Sequence, residues 1–169
     1  MIKLIVCDLD GTILNDSKEI DPKLFNVIKQ LRNKGIDFTI ASGRSESLIV
    51  DIVDKLDIQA PYITNNGGNI YQKHINIKNN FLPKEYLSIL FSLYEKYQLP
   101  FAAYGIDYVI RYLKSDFFKT RVDAIVTDPI HYDSNLDTSN LVDMGHLFKG
   151  YLIHHQWLIY PKCFMVVIP

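Results

Sequence analysis

The stretch Ile2-Lys3-Leu4-Ile5-Val6-Cys7-Asp8-Leu9-Asp10-Gly11-Thr12 decides the fold class. From Ile2 to Leu9 it is almost continuously apolar, with β-branched residues, and Gly11 bounds it, as in a strand covered on both faces of a parallel sheet. Asp8 and Asp10 stand two residues apart at the strand's carboxyl end, so both carboxylates face one pocket, while Gly11 lets the chain turn away and present backbone N–H groups. Two acids beside a set of amides suit a phosphate with a metal. Magnesium fits there, because it prefers carboxylate oxygens, keeps waters and bridges to substrate phosphate.

Outward from this stretch the pattern alternates. Asp21-Pro22 is a helix start, and Leu24, Val27, Ile28 and Leu31 follow at helical spacing until Gly35 ends the helix. Ile36–Ala41 reads as a second strand, a helical stripe appears at Leu48, Ile49, Ile52, Val53 and Leu56, and Tyr62–Thr64 is a third strand. Strand, helix, strand, helix, strand in short order builds an α/β fold with an open parallel sheet. In such a sheet ligands bind outside the carboxyl ends of the strands, where Asp8, Asp10, Ser42 and Asn66 all fall.

Beyond the turn cluster Asn65-Asn66-Gly67-Gly68-Asn69 the short apolar segments from Ile70 to Leu82 read as a hairpin leaving the sheet. Pro83-Lys84 opens a helix with a stripe at Leu87, Leu90, Phe91 and Tyr94, and Phe101–Tyr104 with Tyr108–Leu113 form a strand pair around Gly105-Ile106-Asp107. The expected division is therefore 1–82 for the core and 83–169 for a second domain. The aromatic residues from Tyr86 to Phe118 are spaced for packing rather than for a stacking surface. His154-His155 point to opposite sides of a strand and have no third ligand, so they are read as a surface or packed pair.

Bulk properties narrow the partner. A net charge of −1 and a pI near 6.5 over 169 residues give no electrostatic reason to expect nucleic acid or an anionic membrane, either of which needs a clustered basic surface, so the expected partner is a small soluble ligand. The two cysteines, Cys7 and Cys163, have no metal-like spacing and fit reduced thiols. The amino terminus meets Asp8 too soon for a signal peptide or membrane span, so the expected compartment is the cytoplasm.

Asp8-Leu9-Asp10-Gly11-Thr12 resembles the first signature of the haloacid dehalogenase superfamily, a pattern that chance places in roughly one chain of several hundred at this length. The resemblance implies a magnesium-dependent phosphatase whose core is a Rossmann-like parallel sheet with an α/β cap. It implies Asp8 as the nucleophile that forms an aspartyl-phosphate and Asp10 as general acid and base, with both residues at the magnesium site and Gly11 and Thr12 lining the phosphate. Ser42, followed by Gly43-Arg44, resembles the second signature, whose hydroxyl bonds the phosphoryl group; read from the residues alone, a Ser-Gly after a strand is equally a helix-capping turn. Ala41-Ser42-Gly43-Arg44 with Asn65-Asn66-Gly67-Gly68 is similar to the Cof-type subfamily. Arg44 and Asn66 then line the phosphate crevice, or are a salt-bridging arginine and an asparagine in a left-handed turn.

The resemblance also implies a later lysine and a further acidic pair, and no acidic residue follows Asp143. Lys149 is not assigned the lysine's role, and the chain, with its only tryptophan at Trp157 in the acid-free tail, reads as a C-terminally truncated member. The expected substrate is a small phosphorylated metabolite such as a sugar phosphate. The alternatives are a non-catalytic phosphate- and magnesium-binding remnant and a phosphoacceptor signalling domain, against which Asp10 argues.

Overall fold

The computed structural model describes residues 2–106, 108–112, 130–132, 135–148 and 151–154. Residues up to Lys78 form one compact unit and the described residues from Asn79 onward form another.

In the first unit β1 (Leu4–Asp8), β2 (Asp37–Ala41) and β3 (Tyr62–Thr64) are parallel neighbours, with Asp8 in register with Ala41 and Ala41 with Ile63. The first crossover is α1 (Lys23–Asn33), whose opening N–H at Lys23 donates to Asp21 Oδ1 at 2.9 Å. That bond is the cap expected of the Asp-Pro pair. The second crossover is shorter than its stripe implied: a 3-10 turn at Glu46–Leu48 leads into α2 (Val50–Lys55). Ile49, Val53 and Leu56 still bury against Ile28, Ile40 and Tyr62, so the apolar period is obeyed across the change of helix type. Among the described residues β1 has only β2 beside it, and Leu4–Cys7 are half-buried where the apolar run had suggested full cover.

The segment after the turn cluster does not leave the sheet. β4 (Asn69–Gln72) runs antiparallel on β3, with Asn69 opposite Thr64, and β5 (Ile75–Asn79) extends the sheet beyond it in the order β1-β2-β3-β4-β5. The reversal comes from three successive left-handed residues, Asn65, Asn66 and Gly67, with φ of 48°, 55° and 97°. They fold the chain back within four residues, and Asn65 Nδ2 donates to Asn69 Oδ1 at 2.7 Å to lock the return. Lys73 and His74 form the two-residue β4–β5 turn with φ of 50° and 61°. Two positive φ values are the geometry of tight hairpins, normally met by Asn-Gly, and their absence here hid this turn from the sequence.

The second unit holds α3 (Lys84–Tyr97) with a sheet ordered β10-β9-β6-β7-β8. Its strands are β6 (Phe101–Tyr104), β7 (Val109–Tyr112), β8 (Ile130–His131), β9 (Asp143–Phe148) and β10 (Tyr151–His154). β6 pairs antiparallel with both β7 and β9, and α3 buries Leu87, Phe91 and Tyr94, three residues of its expected stripe. Tyr86 and Tyr97 are exposed, so the aromatic residues are not all core. No helix among the described residues is long and apolar enough to cross a membrane. Lys149, His155, Trp157, Cys163 and Phe118 lie outside the described residues.

Candidate active site

The site is built at the carboxyl edge of the parallel strands. Asp8 closes β1 with its side chain exposed, beside the end of β2 where Ser42 begins the next loop. The chain then turns at Gly11, whose φ of 77° favours glycine. The turn is tighter than expected: Gly11 N–H donates to Leu14 O at 3.1 Å, and the N–H groups of Ile13 and Leu14 donate to Leu9 O at 3.1 and 2.9 Å. These three amides are spent within the loop instead of being presented to a ligand, because Leu9 and Leu14 must be drawn into the core. Thr12 stays exposed on the same turn.

Asp10 is the electrostatic centre. Arg44 grips it with two bonds, Nη2 to Oδ1 at 2.6 Å and Nε to Oδ2 at 2.9 Å. Lys18 Nζ donates to Oδ1 at 2.8 Å. Such a paired fork fixes the plane of the carboxylate as well as its charge. The Arg44 hydrogen bonds, with a smaller contribution from Lys18, hold the Asp10 carboxyl below the usual carboxylate range against the opposing effect of burial. Arg44 is thus a salt-bridging arginine, but its partner is a site residue.

Ser42 is buried, and its Oγ accepts the Arg44 N–H at 3.1 Å, closing a local serine turn two residues long; it caps no helix, because the 3-10 turn at Glu46–Leu48 has Ser45 before it. That bond uses a lone pair and leaves the hydroxyl proton as a separate donor. The loop is stitched to β3: Ser42 N–H donates to Ile63 O at 2.9 Å, Asn65 N–H to Arg44 O at 2.9 Å and Asn66 N–H to Ser42 O at 3.2 Å. Asn66 occupies the left-handed turn and also leans on Gly43, where a Cβ would lie 2.6 Å from its Oδ1. Gly43→Ala is therefore expected to destabilise the first unit by about 1 kcal/mol or more as the Asn66 amide is pushed aside. In urea the midpoint should fall with the slope unchanged, and an unchanged midpoint would show the contact to be slack.

Two groupings emerge: Asp10 with Arg44 and Lys18, and Ser42 with Gly43 and Asn66. Lys18 was missed by the sequence reading. It sits at φ 62° in the polar turn Asn15-Asp16-Ser17-Lys18-Glu19, where a lysine carries no signal beyond solvation. Among the described residues no three His, Cys, Asp or Glu side chains are grouped to hold a metal ion. Magnesium keeps waters and takes phosphate oxygens, and of the two acids Asp8 is the better fit to it, because the Asp10 oxygens already carry cationic partners.

Residues 5–148 match the haloacid dehalogenase-like hydrolase family. The chain belongs to this family. A 5-amino-6-(5-phospho-D-ribitylamino)uracil phosphatase of Bacillus subtilis is 29% identical over 111 residues, covering 65% of this chain and 45% of the relative. A phosphatase of the same name from Escherichia coli is 26% identical over 149 residues, covering 87% of this chain and 54% of the relative. The chain thus spans about half the length of these curated relatives. A solved sugar phosphatase of haloacid dehalogenase subclass IIB has a TM-score of 0.68 at 19% identity, covering 85% of this chain and 58% of that one, a likeness of fold. The α/β fold of this hydrolase family, with its parallel strands, is the one read from the opening stretch.

Proposed function

We propose that this chain carries the phosphoryl-transfer site of a magnesium-dependent phosphatase of small phosphorylated metabolites, sugar phosphates among them, working in the cytoplasm. The observation that carries the reading is the register of Asp8 with Ala41, which sets an exposed carboxylate beside the Ser42–Arg44 loop while Arg44 reaches across to Asp10. Asp10, which takes up a proton from solvent once Arg44 and Lys18 have turned to the phosphate, gives it to the leaving oxygen as Asp8 attacks phosphorus and the bond to that oxygen breaks; the resulting Asp10 carboxylate then takes a proton from the water that cleaves the aspartyl-phosphate. The Ser42 hydroxyl is a donor to the phosphoryl group. An incoming dianion competes with Asp10 for the Arg44 and Lys18 cations, and their transfer to phosphate frees the Asp10 carboxylate for proton transfer. Magnesium, held through Asp8 and water, neutralises phosphoryl charge when bound. The names of both curated relatives specify a phosphate ester on a polyhydroxylated chain, which supports the substrate class.

Hydrolysis of p-nitrophenyl phosphate is the test. Chelation with EDTA is expected to bring release of nitrophenol down to the buffer rate, and excess magnesium to restore it. A rate indifferent to EDTA would sink the magnesium assignment. Binding of inorganic phosphate in a calorimeter without any nitrophenol release would instead favour a non-catalytic binding module, a reading motivated by the half-length match to the relatives.

A further inference from the structure

We propose that His74, at the tip of the β4–β5 turn, is a positioning residue for the Ser42–Arg44 loop, acting through Glu46. His74 lies outside the phosphoryl site, and its role in phosphate binding rests on the function proposed above. Its Nδ1 stands 2.8 Å from Glu46 Oε1 and its Nε2 2.9 Å from Asp54 Oδ1. The Tyr62 hydroxyl donates to the same Glu46 oxygen at 3.1 Å and lies 3.2 Å from Nδ1. One ring therefore joins the 3-10 turn, α2 and the hairpin, with β3 contributing Tyr62.

The backbone argues that this is more than a surface contact. Lys73 and His74 both take left-handed φ, which costs a residue with a side chain about 1–2 kcal/mol relative to the right-handed region. A conformation of that kind persists where surrounding contacts over-determine it. Here the contacts come from three other elements, and two of them, from His74 and Tyr62, meet on Glu46, two residues beyond Arg44. On its β3 side the loop is held by backbone bonds to Ile63, Asn65 and Asn66. At its exit the chain passes through Ser45 into the 3-10 turn, where Leu48 N–H donates to Ser45 O at 3.1 Å, and Glu46 is the side chain that ties this exit to the sheet.

Carboxylates only accept, so an imidazole bridging two of them must donate from both nitrogens and carry a positive charge. The groups facing the ring are Glu46 from the 3-10 turn, Asp54 from α2 and Tyr62 from β3, with Lys73 beside it on its own turn. Glu46 above all, and Asp54 next, raise the His74 pKa above its ordinary value, while burial pushes Tyr62 far above the phenol range and keeps it a neutral donor. For a cationic group with a raised folded pKa, the contribution is complete below the unfolded value, about 6.5, and is lost as pH rises through the folded value. The clamp is closed in acid and opens on the alkaline side.

The test compares the full wild-type chain with His74→Asn, because asparagine tolerates left-handed φ and removes the clamp without straining the turn. At about pH 6 the variant is expected to bind inorganic phosphate about tenfold more weakly, and near pH 9 the two should converge. Amide hydrogen exchange of Ser45–Leu48, read without phosphate, should be faster in the variant at the lower pH only. Equal exchange in the two proteins at about pH 6, or a His74 ring found by NMR to titrate at or below its ordinary value, would overturn the positioning role. If wild type binds no phosphate at any pH, the proposed function falls, while the exchange difference still decides whether His74 holds the loop.

Discussion

Asp8→Asn is expected to reduce magnesium-dependent hydrolysis of an aryl phosphate by about 10⁴-fold or more, the scale on which removal of a covalent nucleophile is felt. The side chain ends β1 in the open, so an amide of the same size fits the position without repacking. What changes is the chemistry: the amide oxygen is a far poorer nucleophile than the carboxylate, and no aspartyl-phosphate forms. The substitution leaves the Arg44 and Lys18 grip on Asp10 untouched, since neither cation is bonded to Asp8. Phosphate binding should therefore survive while turnover vanishes, and a hydroxylamine-sensitive phosphoprotein seen in wild type should be missing from the variant. Equal turnover in the two proteins would remove Asp8 from the mechanism. Retained binding is the control that separates lost chemistry from lost folding.

The second large effect is on stability, and it belongs to the other unit. Phe101 is fully buried at the start of β6, with its ring centroid 5.3 Å from Phe91, 5.0 Å from Tyr94, 5.4 Å from Tyr112 and 5.3 Å from Tyr132. Four aromatic neighbours drawn from α3, β7 and the chain after β8 thus meet on one side chain. Replacing it with alanine leaves a cavity that rigid rings cannot collapse into, so Phe101→Ala is expected to cost about 3–5 kcal/mol. Near-ultraviolet circular dichroism resolves this, because the sequence up to Lys78 holds only Tyr62 and Tyr71 among its tyrosines. The aromatic signal should melt at lower urea in the variant, and a loss below about 1 kcal/mol would show that the cluster is loosely packed.

Much of the fold was legible because its signals are local. An unbroken apolar strand, helical stripes at Leu24–Leu31 and Leu87–Tyr94 and the alternation of strand and helix each need only a few neighbouring residues to be read. The turn at Lys73-His74 escaped because its residues are not those that left-handed geometry favours, and the contacts of His74 are with Glu46 and Asp54, 28 and 20 positions away. The hairpin was expected to depart from the sheet for a related reason. Nothing in residues 69–79 says which neighbour a strand will take, and the choice was made by the three left-handed residues that precede it.

The same division runs through the candidate site. Asp8, Asp10, Ser42 and Arg44 could be named because Asp8-Leu9-Asp10-Gly11-Thr12 and Ala41-Ser42-Gly43-Arg44 resemble family signatures that are contiguous in sequence. By itself the sequence determined the fold class, and its resemblance to a family pointed to the phosphoryl chemistry proposed for the acidic strand end. Only the tertiary structure decided that Arg44 and Lys18 close on Asp10, that Asn66 lies against Gly43, and that the amides after Gly11 turn inward. These contacts join residues from 3 to 34 positions apart, and the side chains involved are mostly polar ones whose partners are set by where the packed strands bring them. Burial periodicity records which face of an element meets the core, but it carries no record of which charge meets which once that core has formed.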